Sequence, residues 1–263
     1  MHDNVFDRYC PGNSLLHRLD PRLKVLITVS FILSNLLLPD AAWMAFVLSW
    51  LVILASSQMA GLGFGYTIRR SLVALPFALA ALTAIFSVPG NTLAEWTLGS
   101  TRLTLTDAGL LRFISIMLRA WLSVQGAILL VATTRFPDLI HALEHLRLPN
   151  LLVTIIAFLY RYLFVLTDEV IRLLRARTAR SAAIPGQQSG GRLLWRAKVS
   201  GNMVGQLFLR SYERSDRIYS AMLARGYSGQ MRTLNPHLMT PRDWLFAALA
   251  AAGMVFLQII GRM

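Results

Sequence analysis

The sequence predicts an all-α integral membrane protein with about five transmembrane helices and a cytoplasmic domain of long amphipathic helices. Mean hydropathy is +0.53, and only 15% of the residues are charged, against roughly 25% in soluble domains. Several apolar blocks approach the length that a membrane-spanning helix needs. Residues 168–242, in contrast, carry thirteen Lys or Arg and four Asp or Glu, so +9 of the chain's net charge of +13 lies in one segment. That segment is too charged to cross a bilayer.

The first two membrane segments are predicted to form a tight helical hairpin. Residues 25–38 and 41–56 are apolar, and only Pro39-Asp40 separates them. Each block is shorter than the usual span of about 20 residues, so flanking residues must contribute to both helices.

Three further spans are predicted in residues 72–88, within residues 110–134 and in residues 244–260. Pro76 should kink the first of these. The second contains Arg119, which lies about two helical turns inside the membrane if Arg112 is near the surface. An arginine at that depth either serves transport or has a structural role, in which its side chain snorkels to the membrane surface or bonds to a neighbouring helix.

A sixth apolar block, residues 151–166, is interpreted as a helix at the cytoplasmic face of the membrane rather than as a span. Cytoplasmic loops of membrane proteins collect Lys and Arg. The basic segments before the first span, at Arg69-Arg70 and around Arg135 alternate with loops poor in Lys and Arg at Pro39-Asp40 and in residues 90–109, which places residue 135 in the cytoplasm. If residues 151–166 crossed the membrane, the region with a net charge of +9 would lie outside. Five spans are therefore expected, and six spans are the alternative.

This topology divides the chain into three domains. Residues 1–134 form an N-terminal membrane domain with four spans, residues 135–242 a cytoplasmic domain, and residues 243–263 a C-terminal transmembrane helix. A pI of about 11.1 would suggest nucleic-acid binding in a soluble protein. Here the same charge is explained by cytoplasmic loops, so no nucleic-acid partner is expected.

Two long helices are predicted in the basic domain. Few helix breakers occur in residues 151–183, and Pro185-Gly186 ends this stretch. A second helix is expected over residues 192–225, and Gly226 is typical of a C-terminal cap, where a left-handed backbone favours glycine. Apolar residues recur near helical spacing along this second helix: Val204, Leu207, Phe208, Tyr212, Ile218, Tyr219 and Met222.

Both long helices end in a similar triplet. The first triplet is Ala179-Arg180-Ser181, and the second triplet is Ala224-Arg225-Gly226. Ala is small enough to admit a partner surface closely, and Arg supplies a planar, permanently charged fork that pairs with carboxylates. The alternative is that each Arg merely complements the dipole at the end of its helix. Because two triplets occur in one basic region, we expect them to bind a partner that has two equivalent acidic grooves.

The segment around the second triplet resembles the signature of the EcfT/CbiQ family, the transmembrane coupling subunits of energy-coupling-factor (ECF) ABC transporters. Residues 213–227 carry this resemblance, and they look most like the cobalt and nickel branch, CbiQ. The run His17-Arg18-Leu19-Asp20-Pro21-Arg22-Leu23-Lys24 resembles the family's opening segment, and Thr133-Thr134, Pro149, Arg161-Tyr162 and the first triplet follow in the family's order. Ser181 stands where the family often has Gly. Because Ala176-Arg177-Thr178 is adjacent, the first anchor is either Arg180 or Arg177.

The resemblance implies a non-catalytic subunit of an importer in a bacterial inner membrane, with no cofactor of its own and with residues 135–242 as its cytoplasmic coupling domain. In this family the two triplets dock in grooves of two ATP-binding cassette ATPases. The long helices then pass ATP-driven closure to a substrate-binding membrane subunit, here CbiM-like. A small CbiN-like accessory subunit and membrane lipid are further partners. The cargo implied is cobalt or nickel, which the residues of this chain do not distinguish.

A contact surface and a lever follow from the same resemblance. The surface that would contact the substrate-binding subunit consists of Leu151, Ile155, Phe158, Leu159 and Tyr162. The helix pair would act as a rigid lever, with its Arg anchors at one end and this apolar surface at the other.

Two other functions are weighed against this one. An intramembrane enzyme acting on a lipid or isoprenoid substrate would need clustered carboxylates to hold Mg²⁺ against a diphosphate. Asp168-Glu169 is the only adjacent acidic pair, and a helix start or a position at the membrane interface explains it better. A metal site could use His141 and His145, which are four residues apart, but an amphipathic turn explains them better. No catalytic and no metal-ligating residues are therefore predicted.

Overall fold

The computed structural model describes residues 8–74, 76, 81–98, 101–146, 148–180, 193–229 and 239–263. Its helices are α1 (Leu15–Arg18), α2 (Pro21–Leu36), α3 (Trp43–Met59), α4 (Phe64–Arg70), α5 (Thr83–Ser87), α6 (Asp107–Thr133), α7 (Phe136–His145), α8 (Asn150–Arg180), α9 (Leu193–Ala224) and α10 (Pro241–Arg262). A 3-10 turn, Ser71–Ala74, follows α4, and two strands, β1 (Thr92–Leu98) and β2 (Thr101–Thr106), precede α6. These elements form two compact units, one containing α8 and α9 and the other containing the remaining elements.

Three of the described helices, α6, α8 and α10, are long and apolar enough to cross a membrane. The prediction of an all-α integral membrane protein is confirmed. Helices α6 and α10 coincide with two of the predicted spans, and the shorter apolar helix α3 coincides with a third. Helix α8 also has the required length and hydropathy, so its placement at the membrane face rests on the charge argument and stays a prediction.

The predicted helical hairpin around Pro39-Asp40 is present. Asp20 begins α2 as its N-cap by accepting a hydrogen bond from the Arg22 N–H, and Pro21 occupies the first helical position, where its missing N–H costs nothing. Helix α6 packs against both α2 and α3. The buried apolar core between them consists of Phe31, Leu38, Ala45, Phe46, Ile53 and Leu122.

Helix α10 packs beside α2, although more than 200 residues separate them in the chain. The Asp20 N–H donates to Asp243 Oδ1 over 3.3 Å near the start of both helices. Near their far ends, Gln258 Nε2 donates to the Ser34 carbonyl oxygen over 2.6 Å. A Cβ added at Gly261 would collide with Leu38, which shows how closely the helices approach. The two helices therefore run parallel.

Two segments differ from the predicted pattern. The span expected at residues 72–88 begins as the 3-10 turn Ser71–Ala74 and ends in α5, with most of the residues between them outside the described part. Residues 90–109, interpreted as a loop, instead contain an antiparallel hairpin in which Trp96 pairs with Leu103 and Leu98 with Thr101. Alternation of Thr, Leu and Trp on both sides of Gly99-Ser100 is the signal that indicates this hairpin.

A buried lysine links the start of the chain to the end of α6. Lys24 is 8% exposed, and its Nζ donates to the carbonyl oxygens of His17 and Thr133, each over 3.1 Å. His17 is held in turn by Ser14 Oγ, which lies 2.8 Å from His17 Nδ1. The segments His17–Pro21 and Thr133-Thr134, which carry part of the family resemblance, thus meet at one buried cation.

Candidate docking surfaces of the helix pair

Helices α8 and α9 form an antiparallel pair. Glu169 in the middle of α8 accepts a hydrogen bond from Arg210 in the middle of α9. Nearer the end of α8, Arg177 donates to Ser200 Oγ, near the start of α9, over 3.4 Å. The described bounds of both helices differ from the predicted ones by one to three residues.

The two triplets consequently lie at opposite ends of the pair. Arg180 is the last residue of α8 that the structure describes, and Arg225 directly follows α9. Because the Arg177–Ser200 contact places Arg180 about level with residue 197, roughly 28 residues of α9 at about 1.5 Å each separate the two arginines, or about 40 Å along the helices.

The first triplet is exposed as far as the structure describes it. Ala179 and Arg180 are exposed, and Ser181 lies outside the described residues. Arg177, the alternative anchor, is half-buried and already bonded to Ser200. Arg180 forms no hydrogen bond or ion pair with the described residues, so its guanidinium is available to a partner.

The second triplet is shaped by a capped helix end. Gly226 has φ +80°, as predicted, and its N–H donates to the Leu223 carbonyl oxygen over 2.9 Å. The Tyr227 N–H reaches back to the Met222 carbonyl oxygen over 3.0 Å, which is the longer bond of a Schellman cap. Ala224 and Arg225 are exposed just before this cap. The left-handed glycine therefore ends the helix and leaves the arginine outside it.

An apolar groove of about 790 Å³ lies between the first half of α8 and the second half of α9. Of the five residues predicted to contact a membrane subunit, Leu151, Phe158 and Tyr162 line it. The rings of Phe158 and Tyr162 stack with centroids 6.0 Å apart. Ile155 and Leu159 are 50% and 61% exposed and lie on the surface of α8 outside the groove.

The position of this groove differs from the expected lever, in which the Arg anchors and the apolar surface lie at opposite ends of the helix pair. Its α9 wall includes Ile218 and Met222, and Tyr227 of the helix cap also lines it. The apolar surface therefore lies at the same end of the pair as the second triplet, and the first triplet lies at the other end. The expectation that both anchors share one end is wrong, because the antiparallel packing of α8 and α9 sends their C-termini in opposite directions.

The apolar residues predicted as one stripe on α9 form two faces. Leu207, Ile218 and Met222 are half-buried against α8. The other face of α9 is exposed. Its side chains, which are 53–68% exposed, are Val204, Phe208, Tyr212 and Tyr219. The helical period in the sequence was correct, but it did not separate the packed face from the exposed one.

Glu169 has a role that the sequence did not reveal. The side chain is 12% exposed, accepts a hydrogen bond from Arg210 and forms an ion pair with Arg172 over 3.5 Å. Its interpretation as a helix start is wrong, since α8 continues through Asp168 and Glu169 without a break, and its position at the membrane interface stays a prediction. The signal that could have found it is the scarcity of acidic residues in a strongly basic segment.

The histidine pair on α7 forms a local contact. The rings of His141 and His145 lie with centroids 4.6 Å apart, and His145 Nδ1 is 3.1 Å from the His141 carbonyl oxygen. Within the described ranges, no group of three or more His, Cys, Asp or Glu side chains could hold a metal ion.

Residues 12–235 match the model of a protein family described as CbiQ, cobalt transport protein. The match covers both triplets, the Lys24 site and most of the membrane helices. The chain belongs to the CbiQ family. Like the family, it is a multi-pass transmembrane component of a transporter rather than an enzyme.

Relatives agree over almost the whole length of this CbiQ-family chain. It is 30% identical to an energy-coupling factor transporter transmembrane protein EcfT of Thermosediminibacter oceani over 267 residues, covering 97% of this chain and 96% of the relative. It is 28% identical to the EcfT of Clostridium kluyveri over 275 residues, covering 99% and 97%. An uncharacterized protein of Methanocaldococcus jannaschii is 27% identical over 252 residues, covering 94% of this chain and 83% of the relative.

Proposed function

We propose that this chain is the coupling subunit of an ECF-type ABC importer and that Arg180 and Arg225 each dock one cytoplasmic ATPase. The observation that carries the proposal is the pair of exposed Ala-Arg dipeptides, which lie towards opposite ends of one antiparallel helix pair. Two sites of the same kind, roughly 40 Å apart along the helices, suit two copies of one partner. The family match and the EcfT relatives support the presence of ATPase partners.

The chemistry of docking follows from the arginine side chain. A guanidinium fork pairs with a carboxylate through two parallel charge-assisted hydrogen bonds, which fixes orientation as well as adding binding energy. The preceding alanine leaves room for the wall of a partner groove. ATP hydrolysis belongs to the ATPases, and this chain transmits their movement.

The apolar groove beside the second triplet is the proposed contact with a substrate-binding membrane subunit. Leu151, Phe158 and Tyr162 line the groove, while Ile155 and Leu159 extend the contact across the exposed face of α8. A movement of the ATPase bound at Arg225 would therefore act close to this contact. The substrate-binding subunit is CbiM-like in this proposal, with a small CbiN-like accessory subunit, and the cargo is cobalt or nickel.

The docking sites are tested with the full transporter, by co-purification of the ATPases and by ATP-dependent metal uptake. Arg180→Ala and Arg225→Ala should each weaken ATPase binding by about tenfold or more, since removing one buried charged anchor commonly costs about 2 kcal/mol. Arg175→Ala and Arg217→Ala are the matched controls. Both are exposed arginines one to two turns before the triplets, and both variants should bind normally. Normal assembly and uptake by the Arg180→Ala/Arg225→Ala double variant would refute the docking sites.

The orientation of the helix pair is tested separately. Ser220 is exposed on α9, and Cys10 is the single cysteine. In a Cys10→Ser background, Ser220→Cys should resist a membrane-impermeant maleimide in intact cells and react in inverted vesicles. Labelling in intact cells would place the pair outside and contradict the coupling role.

A further inference from the structure

A second groove, unrelated to the proposed coupling role, lies between α2 and α10. It has a volume of about 480 Å³. Its apolar walls are formed by Leu33 and Leu37 on one side and by Val255 and Ile259 on the other. Arg262 lines it as well and is the only charged side chain among the described residues that do so. We call it the α2–α10 groove.

The walls of the α2–α10 groove are open to the surroundings. Leu33, Leu37, Val255 and Ile259 are 53%, 66%, 59% and 55% exposed. Because α10 is long and apolar enough to span the membrane, these side chains face hydrocarbon rather than water. The groove is thus a place where a lipid chain would lie.

The arginine lies at one end of the groove. Helices α2 and α10 run parallel, and the lining residues on α10 extend from Met254 to Arg262. These residues span about 12 Å of helix, at about 1.5 Å per residue. Arg262 is in the last turn of α10 and so lies near a membrane surface, while the opposite end of the groove points into the hydrocarbon.

The uncharged polar side chains that line the groove are those of Ser30, Ser34 and Gln258. Gln258 Nε2 donates to the Ser34 carbonyl oxygen over 2.6 Å and lies 3.0 Å from Ser34 Oγ, and these contacts join the two helices. Gln258 Oε1 is buried and has no hydrogen-bond partner among the described residues. None of these three side chains is charged, so the charge of the described lining is at its Arg262 end, and the apolar walls beside it suit an acyl chain.

Arg262 provides the charge complementarity that selects a ligand. It forms no ion pair with any residue that the structure describes. A guanidinium binds phosphate oxygens bidentately through charge-assisted hydrogen bonds. We propose that the α2–α10 groove binds an anionic phospholipid, with the phosphate at Arg262 and one acyl chain between α2 and α10.

The first test compares two lipids of identical acyl chains on the full-length, delipidated protein. Phosphatidylglycerol and phosphatidylcholine are titrated, and the bound fraction is measured by native mass spectrometry. Both lipids carry the phosphate, but the quaternary ammonium of phosphatidylcholine cancels its net charge. The wild type should therefore bind phosphatidylglycerol about tenfold more tightly, because only this lipid brings an uncompensated negative charge to Arg262. Arg262→Gln should remove this preference. Arg242→Gln changes an exposed arginine at the other end of α10 and should keep it. Equal binding of the two lipids by the wild type would overturn the proposal.

The second test fills the groove and leaves the charge in place. Val255→Phe should lower phosphatidylglycerol binding, whereas Leu249→Phe, at a 65% exposed position outside the groove, should not. If Val255→Phe fails to fold, the two-lipid comparison on the wild type decides alone. A groove covered by a transmembrane helix of a partner would give no lipid preference in the wild type and a loss of assembly in Val255→Phe, and that pair of results would refute lipid binding.

Discussion

Arg119 of α6 is bonded to Asp40 in the turn between α2 and α3. Arg119 Nη2 lies 2.7 Å from Asp40 Oδ1 and 2.7 Å from the Leu38 carbonyl oxygen. One turn earlier on α6, Ser115 Oγ accepts a hydrogen bond from the Ala41 N–H over 3.1 Å. Ala41 has φ +66°, which is unusual for a residue other than glycine. Two side chains of α6 therefore hold a turn that its own sequence does not favour.

Replacing Arg119 should destabilise the membrane unit. In Arg119→Gln the Leu38 carbonyl and the Asp40 carboxylate lose their charged donor, and the guanidinium is only 17% exposed in the wild type. The expected loss is about 1.5–3 kcal/mol of the free energy of unfolding, measured by thermal unfolding in detergent. Asp40 is 43% exposed, so Asp40→Asn should cost less, about 1 kcal/mol or below.

Arg112 provides the control for this prediction. It is an exposed arginine two turns earlier on α6, and Arg112→Gln should change stability by no more than about 0.5 kcal/mol. If Arg119→Gln and Arg112→Gln unfold at the same temperature, the bond to the turn does not stabilise the protein. This bond is one of the two roles that the sequence left open for Arg119.

Gly226→Ala should weaken ATPase binding at the second triplet, because it destabilises the backbone of the helix cap. A Cβ at Gly226 would meet no atom within 4 Å, so the cost arises from its φ of +80°. A left-handed residue with a Cβ costs roughly 1–2 kcal/mol. The end of α9 should fray, which hydrogen exchange at Tyr227 can measure, and ATPase binding should fall although Arg225 is intact.

Control variants separate this backbone effect from a general effect of adding a side chain. Gly201 and Gly205 lie inside α9 with equally open surroundings. Alanine at either position should stabilise α9 by about 0.5–1 kcal/mol, because glycine is a poor residue for a helix interior. Gly226→Asn should be milder than Gly226→Ala, since asparagine tolerates the left-handed region. A Gly226→Ala protein as stable as Gly201→Ala would contradict the cap.

The Glu169–Arg210 pair should couple the two long helices. Glu169 is 12% exposed, and Arg210 is 54% exposed, so solvent screens the pair in part. A double-mutant cycle with Glu169→Gln and Arg210→Gln should give a coupling free energy of about 0.5–1 kcal/mol, which falls at high salt. Arg196, on the first turn of α9, serves as a control partner for the same cycle with Glu169. A coupling free energy near zero for Glu169 with Arg210 would show that the pair does not hold the helices together.

The Asp243 carboxylate should stabilise the contact between the N-terminal ends of α10 and α2. Asp243 is 6% exposed, and its carboxylate accepts from the Thr240 N–H, the Thr240 hydroxyl and the Asp20 N–H. Asp243→Ala leaves two backbone donors without an acceptor, and a loss of about 1–3 kcal/mol is expected. Arg242→Ala, at the exposed neighbouring position, should be close to neutral in thermal unfolding. Equal unfolding temperatures for the two variants would contradict the role of the cap.

The sequence predicts elements well where the signal is local. Pro39-Asp40 between two apolar blocks gave the α2–α3 hairpin, and Gly226 gave the end of α9, because turn and cap chemistry depends on a few adjacent residues. The long helices were found for the same reason, since breakers and periodicity are properties of a short window. Arg180 and Arg225 are predicted as docking residues from their places at helix ends. Arg225 directly follows α9, Arg180 is the last residue of α8 that the structure describes, and their docking role stays a prediction.

Contacts between distant segments could not be predicted in the same way. The bonds of Asp20 with Asp243 and of Glu169 with Arg210 depend on which helices become neighbours, and hydropathy does not encode this. The direction of α9 relative to α8 also depends on which helix surfaces pack together. The expectation that both triplets lie at one end of the helix pair was therefore wrong. The hairpin of β1 and β2 was missed because the segment was considered for its charge rather than for its alternation.

The adjacency of α2 and α10 has a consequence for biosynthesis. The second set of contacts that α2 makes, including the bond from Gln258 to Ser34, is translated only after α8 and α9. The membrane unit therefore cannot complete its packing until the whole helix pair has been synthesised, and a ribosome stalled within that pair would hold a chain in which α2 still lacks its neighbour α10.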